Sequence, residues 1–170
     1  YITIKEALTR SRNLASINLM QSIGVDRAVK KLGEFGFKNV PPALSVAIGS
    51  YGISPLEYST MYSMFPGLGI TAKSKFIVSI TDKDGKTRFI EPERRRVLRP
   101  EQAYLMTTLL KNIVQRGTGT RARVQGIDIA GKTGTSNDSI DAWFCGFTPD
   151  LQIIIWYGND DYKPMRKVEG

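Results

Sequence analysis

Between Ile129 and Thr135 a lysine stands between two glycines and is followed by hydroxyls on alternate positions: Gly131-Lys132-Thr133-Gly134-Thr135. In an extended chain successive side chains point to opposite faces, so Thr133 and Thr135 share one face. Gly134 between them removes the bulk that would keep a ligand from lying along the strand. Lys132 adds a point charge, which reaches the same surface if the strand twists or the side chain curls round. Such a strand suits a substrate that carries a carboxylate. A Lys-Thr-Gly tripeptide alone also fits a Gly-rich turn between strands, and its surroundings must decide between the two.

The rest of the composition narrows the chemistry. Histidine is absent, which excludes Ser-His-Asp and Cys-His arrangements and histidine metal sites within these residues. Acid–base work near neutral pH therefore falls to lysine, carboxylates, tyrosine or serine. A single cysteine, Cys145, excludes an internal disulfide. The net charge of +8 is densest at Arg94-Arg95-Arg96 with Arg99. No aromatic-interleaved basic pattern surrounds it, so a solvated basic loop or an attraction to anionic surfaces is expected rather than nucleic-acid binding.

With 170 residues, 41% of them hydrophobic, the chain can bury the core of one ordinary domain. The longest apolar run, Ile153-Ile154-Ile155-Trp156-Tyr157, is far too short to cross a bilayer. The opening residues Tyr1-Ile2-Thr3 read as neither a signal peptide nor a clean domain start.

The elements that must carry the Lys-Thr-Gly strand follow from caps and periodicity. Thr3-Ile4-Lys5-Glu6 has capping-box spacing and predicts a short helix through Thr9, interrupted near Ser11-Arg12-Asn13. A second helix carries Leu14, Ile17 and Met20 until Gly24, and Asp26 is expected to cap a third that ends at Gly36. The apolar stretch Ser45–Ile48 carries no assignment. Ser54-Pro55-Leu56-Glu57 starts a further helix, which should finish before Phe65-Pro66-Gly67. Residues 76–80 and 87–90 read as strands joined by the turn Asp82-Lys83-Asp84-Gly85, a hairpin excursion over about 75–91.

Pro100 to Gln115 is the clearest helix, with Ala103, Met106, Leu110, Ile113 and Val114 on one face. Leu105 and Leu109 widen that face until the helix looks nearly buried. Gly117 and Gly119 then supply the backbone freedom of a helix-to-strand turn. Residues 127–135, 142–147 and 151–158 read as antiparallel strands, the last two joined at Thr148-Pro149-Asp150. Trp143 and Phe144 are expected to pack the sheet, and Cys145 to be a buried small apolar residue. Helices first, then a meander on which they pack, is an α+β order.

Three features now stand in sequence: Ser11-Arg12-Asn13 at a break between helices, Gly117-Thr118-Gly119-Thr120, and Gly131-Lys132-Thr133-Gly134-Thr135 followed by Asp141-Ala142-Trp143-Phe144-Cys145-Gly146-Phe147-Thr148-Pro149. Ser-x-Asn followed by Lys-Thr-Gly is a signature of penicillin-binding proteins and serine β-lactamases. The chain resembles the C-terminal part of the transpeptidase domain of class A penicillin-binding proteins, from about Ile4 to Gly158. It departs from them around Pro66–Lys75, where the family shows an Asn-Gly turn and this chain has Gly67-Leu68-Gly69.

The resemblance implies an α+β fold of the penicillin-binding transpeptidase and serine β-lactamase type. It also implies a D,D-transpeptidase that cross-links peptidoglycan stem peptides through a serine acyl-enzyme and is acylated by β-lactam antibiotics. Ser11 would relay a proton to the leaving amine, Asn13 would donate to the substrate's peptide carbonyl, and Lys132 would hold the electrostatics of the cleft. Thr133 and Thr135, flanking Gly134, would bind the terminal carboxylate, with the Thr135 N–H as half of an oxyanion hole. Ser11 and Asn13 can serve as helix caps at the same time. Ser16-Ile17-Asn18 also reads Ser-x-Asn but falls within the second helix. No cofactor and no metal are implied.

One family feature is missing. No serine here has lysine three residues later, so the attacking serine and its lysine are expected upstream, outside these residues. Residues 1–170 are accordingly expected to form the C-terminal portion of one transpeptidase domain, inactive alone, with any membrane anchor upstream and the activity on the periplasmic face of the cytoplasmic membrane. A β-lactamase would need a deacylating Glu-x-x-x-Asn segment, which the sequence lacks. The alternative is a non-catalytic homologue that binds cell-wall peptide or serves as a scaffold.

Overall fold

Side chains far apart in sequence share one core: Tyr62, Leu110 with Ile113, Ala130, and Cys145 with Phe147. The computed structural model describes residues 1–165, and local chemistry explains most of the elements that build this core. Helix α1 (Ile4–Thr9) starts where Thr3 Oγ1 accepts the Glu6 backbone N–H at 3.2 Å. The chain breaks at Ser11, whose φ is 51°, and resumes as α2 (Asn13–Ile23). Helix α3 (Val25–Phe35) ends at Gly36, which adopts the left-handed conformation at φ 111°. Asp26 does not cap α3 as expected. Gly24 occupies the cap position at φ 92°, and Asp26 stands in the first turn, where a carboxylate complements the helix dipole.

Residues Leu44–Ile48 form a 3-10 turn. Helix α4 (Pro55–Tyr62) begins as its cap and proline demand: Ser54 Oγ accepts the Glu57 N–H at 3.2 Å and donates to Glu57 Oε2 at 3.0 Å.

Two small antiparallel ribbons follow. Strand β1 (Ile70–Ala72) pairs with β4 (Arg94–Arg96), and between them β2 (Ser79–Thr81) pairs with β3 (Thr87–Phe89). The β2–β3 turn is closed by Asp82 Oδ1, which accepts the N–H groups of Asp84 and Lys86 at 3.0 and 2.9 Å. The arginine triplet is therefore a paired strand, not the solvated loop its charge suggested. Arg95 Nη2 donates to the Glu34 carbonyl at 2.8 Å, and Arg96 Nη1 to the carbonyls of Leu68 and Leu98 at 3.0 and 3.2 Å. The guanidinium N–H groups donate to carbonyls at the end of α3 and beside the ribbon, a use that a charge count cannot reveal.

Helix α5 (Pro100–Arg116) buries Ala103, Leu110, Ile113 and Val114. It is not buried all round, since Tyr104 and Leu105 are 68% and 63% exposed. Leu105 lies about 200° round the helix from Ala103, away from the sheet that α5 meets through β5.

Strands β5 (Ala130–Thr135), β6 (Asp141–Phe147) and β7 (Gln152–Gly158) form an antiparallel sheet in the order β5-β6-β7. The register sets Lys132 opposite Cys145 and Cys145 opposite Ile154. Helices α4 and α5 cover the face that carries Ala130, Cys145 and Phe147. On the other face Ile153, Ile155 and Tyr157 are exposed, and among the described residues no strand pairs with the outer edge of β7. Strand β5 begins three residues later than its apolar approach implied. Helices leading into an antiparallel meander make the architecture α+β.

Candidate active site

The site is built where α1 ends against the end of α5. Gly117 makes that contact possible: a Cβ there would lie 2.3 Å from the Thr9 carbonyl oxygen and 3.0 Å from Ile113 Cα. The Thr118 N–H donates to the same Thr9 oxygen at 3.3 Å, and Arg116 bridges to Glu6 at 3.3 Å. Neither Gly117 (φ −109°) nor Gly119 (φ −93°) uses the backbone freedom expected of it. At Gly117 what matters is the missing side chain, which brings α1 onto α5 and so places the residues after Thr9 beside β5.

Ser11 is the first of these residues. Lys132 Nζ donates to Ser11 Oγ at 2.8 Å and to the Thr133 carbonyl at 2.6 Å. Strand alternation sends Lys132 and Thr133 to opposite faces, and the lysine curls back over its own strand to reach the serine. The left-handed backbone of Ser11 is a strained conformation for a residue with a side chain, of the kind often found at functional positions. Ser11 is not a helix cap. Arg12 holds the cap position of α2 without a side-chain hydrogen bond, and Asn13 is the first helical residue. The Asn13 amide is exposed and makes no hydrogen bond among the described residues. Ser16 and Asn18 lie inside α2.

Thr118, in the turn after α5, shares a hydrogen bond with Thr133 through their hydroxyls at 2.8 Å. No role for Thr118 was read from the sequence; the signal was a threonine between two glycines at a helix end. Thr135 ends the strand with its side chain exposed. A Cβ on Gly134 would meet only Trp143 Cβ, at 3.4 Å, so the protein itself does not crowd that stretch of strand.

Burial pulls the Lys132 ammonium below the usual lysine range. Cys145, its cross-strand neighbour, is pushed up to about 12 by burial. At neutral pH Cys145 is an uncharged thiol and gives Lys132 no compensating charge. The Tyr62 hydroxyl donates to the Cys145 carbonyl at 2.9 Å, and Tyr58 packs between Tyr62 and Trp143. These aromatics brace the strand beside β5 from below. On the opposite face the Phe144 ring lies over Gly131 and Gly146, where added Cβ atoms would come within 2.8 and 2.6 Å of it. Trp143, Phe144 and Cys145 are thus sheet-packing residues.

The constellation offers an ammonium hydrogen-bonded to a serine hydroxyl, a free amide donor two residues on from that serine, and threonine hydroxyls along the strand that carries the ammonium. It can hold a carboxylate and pass a proton through Ser11 without histidine or metal ligands. Among the described residues no group of three or more His, Cys, Asp or Glu side chains could hold a metal ion. Nor, among them, is any helix long and apolar enough to cross a membrane.

Residues 1–163 match the penicillin binding protein transpeptidase domain family. Penicillin-binding protein 1A of Neisseria meningitidis serogroup A is 39% identical over 177 aligned positions, covering 99% of this chain and 22% of that protein. The protein of the same name from Aquifex aeolicus is 34% identical, covering 98% of this chain and 23% of that one. The crystal structure of penicillin-binding protein 1A from Haemophilus influenzae superposes with a TM-score of 0.90 at 26% identity, over 99% of this chain and 32% of that one. The imipenem acyl-enzyme of penicillin-binding protein A from Mycobacterium tuberculosis shares the fold, with a TM-score of 0.83 at 19% identity over 99% of this chain and 44% of that one. The chain thus spans about a fifth of the length of the curated relatives it matches. With Ser-x-Asn and Lys-Thr-Gly joined by a hydrogen bond, and with these matches along nearly its whole length, the chain belongs to the penicillin-binding protein transpeptidase family.

Proposed function

We propose that these residues form one wall of the active site of a peptidoglycan D,D-transpeptidase. That enzyme works through a serine acyl-enzyme and is acylated by β-lactams. The observation that carries this reading is the Lys132 Nζ to Ser11 Oγ hydrogen bond at 2.8 Å. In this reading the attacking serine and its lysine come from residues outside this chain, because no serine here is followed three positions later by lysine.

The attacking oxygen bonds to the carbonyl carbon of a stem peptide, and the C–N bond to the leaving amine breaks. Ser11 Oγ hands its proton to that amine and is reprotonated across its hydrogen bond from Lys132, which recovers a proton from the lysine that took the attacking serine's hydroxyl proton. Asn13 donates its amide to the substrate's peptide carbonyl. Thr133 and Thr135 hydroxyls donate to the terminal carboxylate along the strand that Gly134 leaves clear. The Thr135 N–H supports the oxyanion as the tetrahedral intermediate forms. A β-lactam takes the same path, except that its leaving amine stays tethered in the acyl group. The substrate places this work outside the cytoplasmic membrane.

Fluorescent-penicillin labelling on a denaturing gel tests the reading, with this chain in one lane and the whole gene product in another. A labelled whole protein beside a dark chain is expected. Label on the chain alone would overturn the external nucleophile, and two dark lanes would leave a non-catalytic peptide-binding homologue.

A further inference from the structure

One residue past Thr135 the ladder between β5 and β6 changes its wiring. The Ser136 N–H donates to the Asp141 carbonyl at 3.0 Å. The return bond, from the Asp141 N–H, goes to Ser136 Oγ at 2.7 Å rather than to the Ser136 carbonyl. That carbonyl accepts the Ser139 N–H at 3.2 Å and closes the 3-10 turn Asn137–Ser139. The serine hydroxyl stands in for its own main chain, so the last rung holds although the chain has already turned away. The turn is a sharp one: Asp138 and Ser139 are both left-handed, at φ 59° and 54°, which is costly for residues with side chains.

This rung fixes where Thr135 points. Directly opposite residues of antiparallel strands alternate between pairs that exchange hydrogen bonds and pairs that do not. Ser136 and Asp141 are bonded, so the preceding pair, Thr135 and Ala142, is of the other kind. The Thr135 N–H is therefore directed away from β6, towards the outer edge of β5. Thr133 has the same parity, and its carbonyl meets Lys132 Nζ at 2.6 Å. Asp141 is a firm anchor for the rung. Its Oδ1 accepts the Trp156 indole N–H at 2.8 Å, and the Trp156 ring lies over Gly158, where an added Cβ would come within 2.5 Å of it.

We infer that Ser136 is a positioning residue for acylation: its hydroxyl, held by the Asp141 N–H, keeps the Thr135 N–H aimed at the developing oxyanion. The inference rests on the oxyanion role proposed above for Thr135. Without the hydroxyl, the half-buried Asp141 N–H must either go unpaired or recapture the Ser136 carbonyl and pull the turn open. Both outcomes loosen the backbone next to Thr135.

The test compares wild type, Ser136→Ala and Ser136→Thr in the whole protein by stopped-flow acylation with a fluorescent penicillin, normalised to the protein that finally takes up label. In Ser136→Ala the first-order acylation constant should fall about tenfold, because a misaimed donor loses part of its hold on the oxyanion. The dissociation constant of the preceding complex should change less than about threefold, since that N–H is used only as charge develops. Ser136→Thr keeps the hydroxyl and should stay within about twofold of wild type. A boronic acid, whose tetrahedral adduct places an oxygen where the oxyanion forms, should bind Ser136→Ala about tenfold more weakly. An unchanged acylation constant, a loss confined to the preceding complex, a Ser136→Thr as slow as Ser136→Ala, or unchanged boronic acid affinity would each overturn the inference. So would a Ser136→Ala protein that takes up no label, which would make Ser136 structural. A dark wild type would instead bring down the transpeptidase reading, and this inference with it.

Discussion

Lys132 and Ser11 lie 121 positions apart in the chain, and the Lys132 ammonium donates to the Ser11 hydroxyl at 2.8 Å. In the proposed reaction this bond carries the proton, so it can be tested apart from the fold. Ser11→Ala in the whole protein should slow acylation by a β-lactam about 100- to 1,000-fold. Because Ser11 is exposed, stability should change by less than about 0.5 kcal/mol. Stopped-flow acylation beside a urea melt checks both; equal loss in the two would make Ser11 structural.

Thr118 is a positioning residue in this account, acting through Thr133 at 2.8 Å. Thr118→Val removes one hydrogen bond from the hydroxyl proposed to receive the substrate carboxylate. Loss of about 1 kcal/mol in orientation should raise KM for a carboxylate-bearing substrate about fivefold with kcat nearly unchanged. Thr118→Ser should restore it. A fall confined to kcat would assign Thr118 a different part.

At Gly117 the contact is steric. Gly117→Ala puts a methyl 2.3 Å from a backbone oxygen of α1 that cannot move without the helix. A cost of about 2–4 kcal/mol is expected, together with slower acylation as Ser11 is pushed from Lys132. Gly119→Ala meets only an ordinary contact, 3.4 Å from Ile113 Cγ2, and should cost less than about 1 kcal/mol. Denaturant midpoints of the two variants decide; similar losses would return both glycines to a conformational role.

Alkaline pH should unfold the protein through its buried acids. Cys145, whose thiol titrates at 9.0 when unperturbed and about 12 in the fold, contributes stability that is complete below 9.0 and lost as pH rises towards about 12. Tyr58 and Tyr62 are also raised by burial and act in the same direction at higher pH. Lys132 has the opposite sign. Its charged form is disfavoured in the fold, so its penalty fades as pH climbs from its lowered value towards the ordinary 10.5. Cys145→Ala should flatten the decline above pH 9 by up to about 1.4 kcal/mol per pH unit, whereas Lys132→Met should steepen it. Urea midpoints at stepped pH values measure both; an unchanged slope in Cys145→Ala would place its titration near that of an ordinary thiol.

Local chemistry was legible in the sequence wherever one segment carried the whole cause. The Thr3 and Ser54 caps, the Gly36 stop, the Asp82 turn and the antiparallel order of β5 to β7 all depend on neighbours a few residues away. The motifs at Ser11, Asn13 and Lys132 through Thr135 were legible for the same reason, since their residue types and spacing are local. What required the folded chain was every relation between segments. Which face of α5 meets the sheet, the pairing of the arginine triplet with β1, and the close approach at Gly117 depend on surfaces that sequence neighbours do not define. The curl of Lys132 onto Ser11 and the approach of Thr118 to Thr133 belong to the same class. They exist because a helix end without a side chain lets α1 settle against α5, and only that packing brings two distant motifs within hydrogen-bond reach.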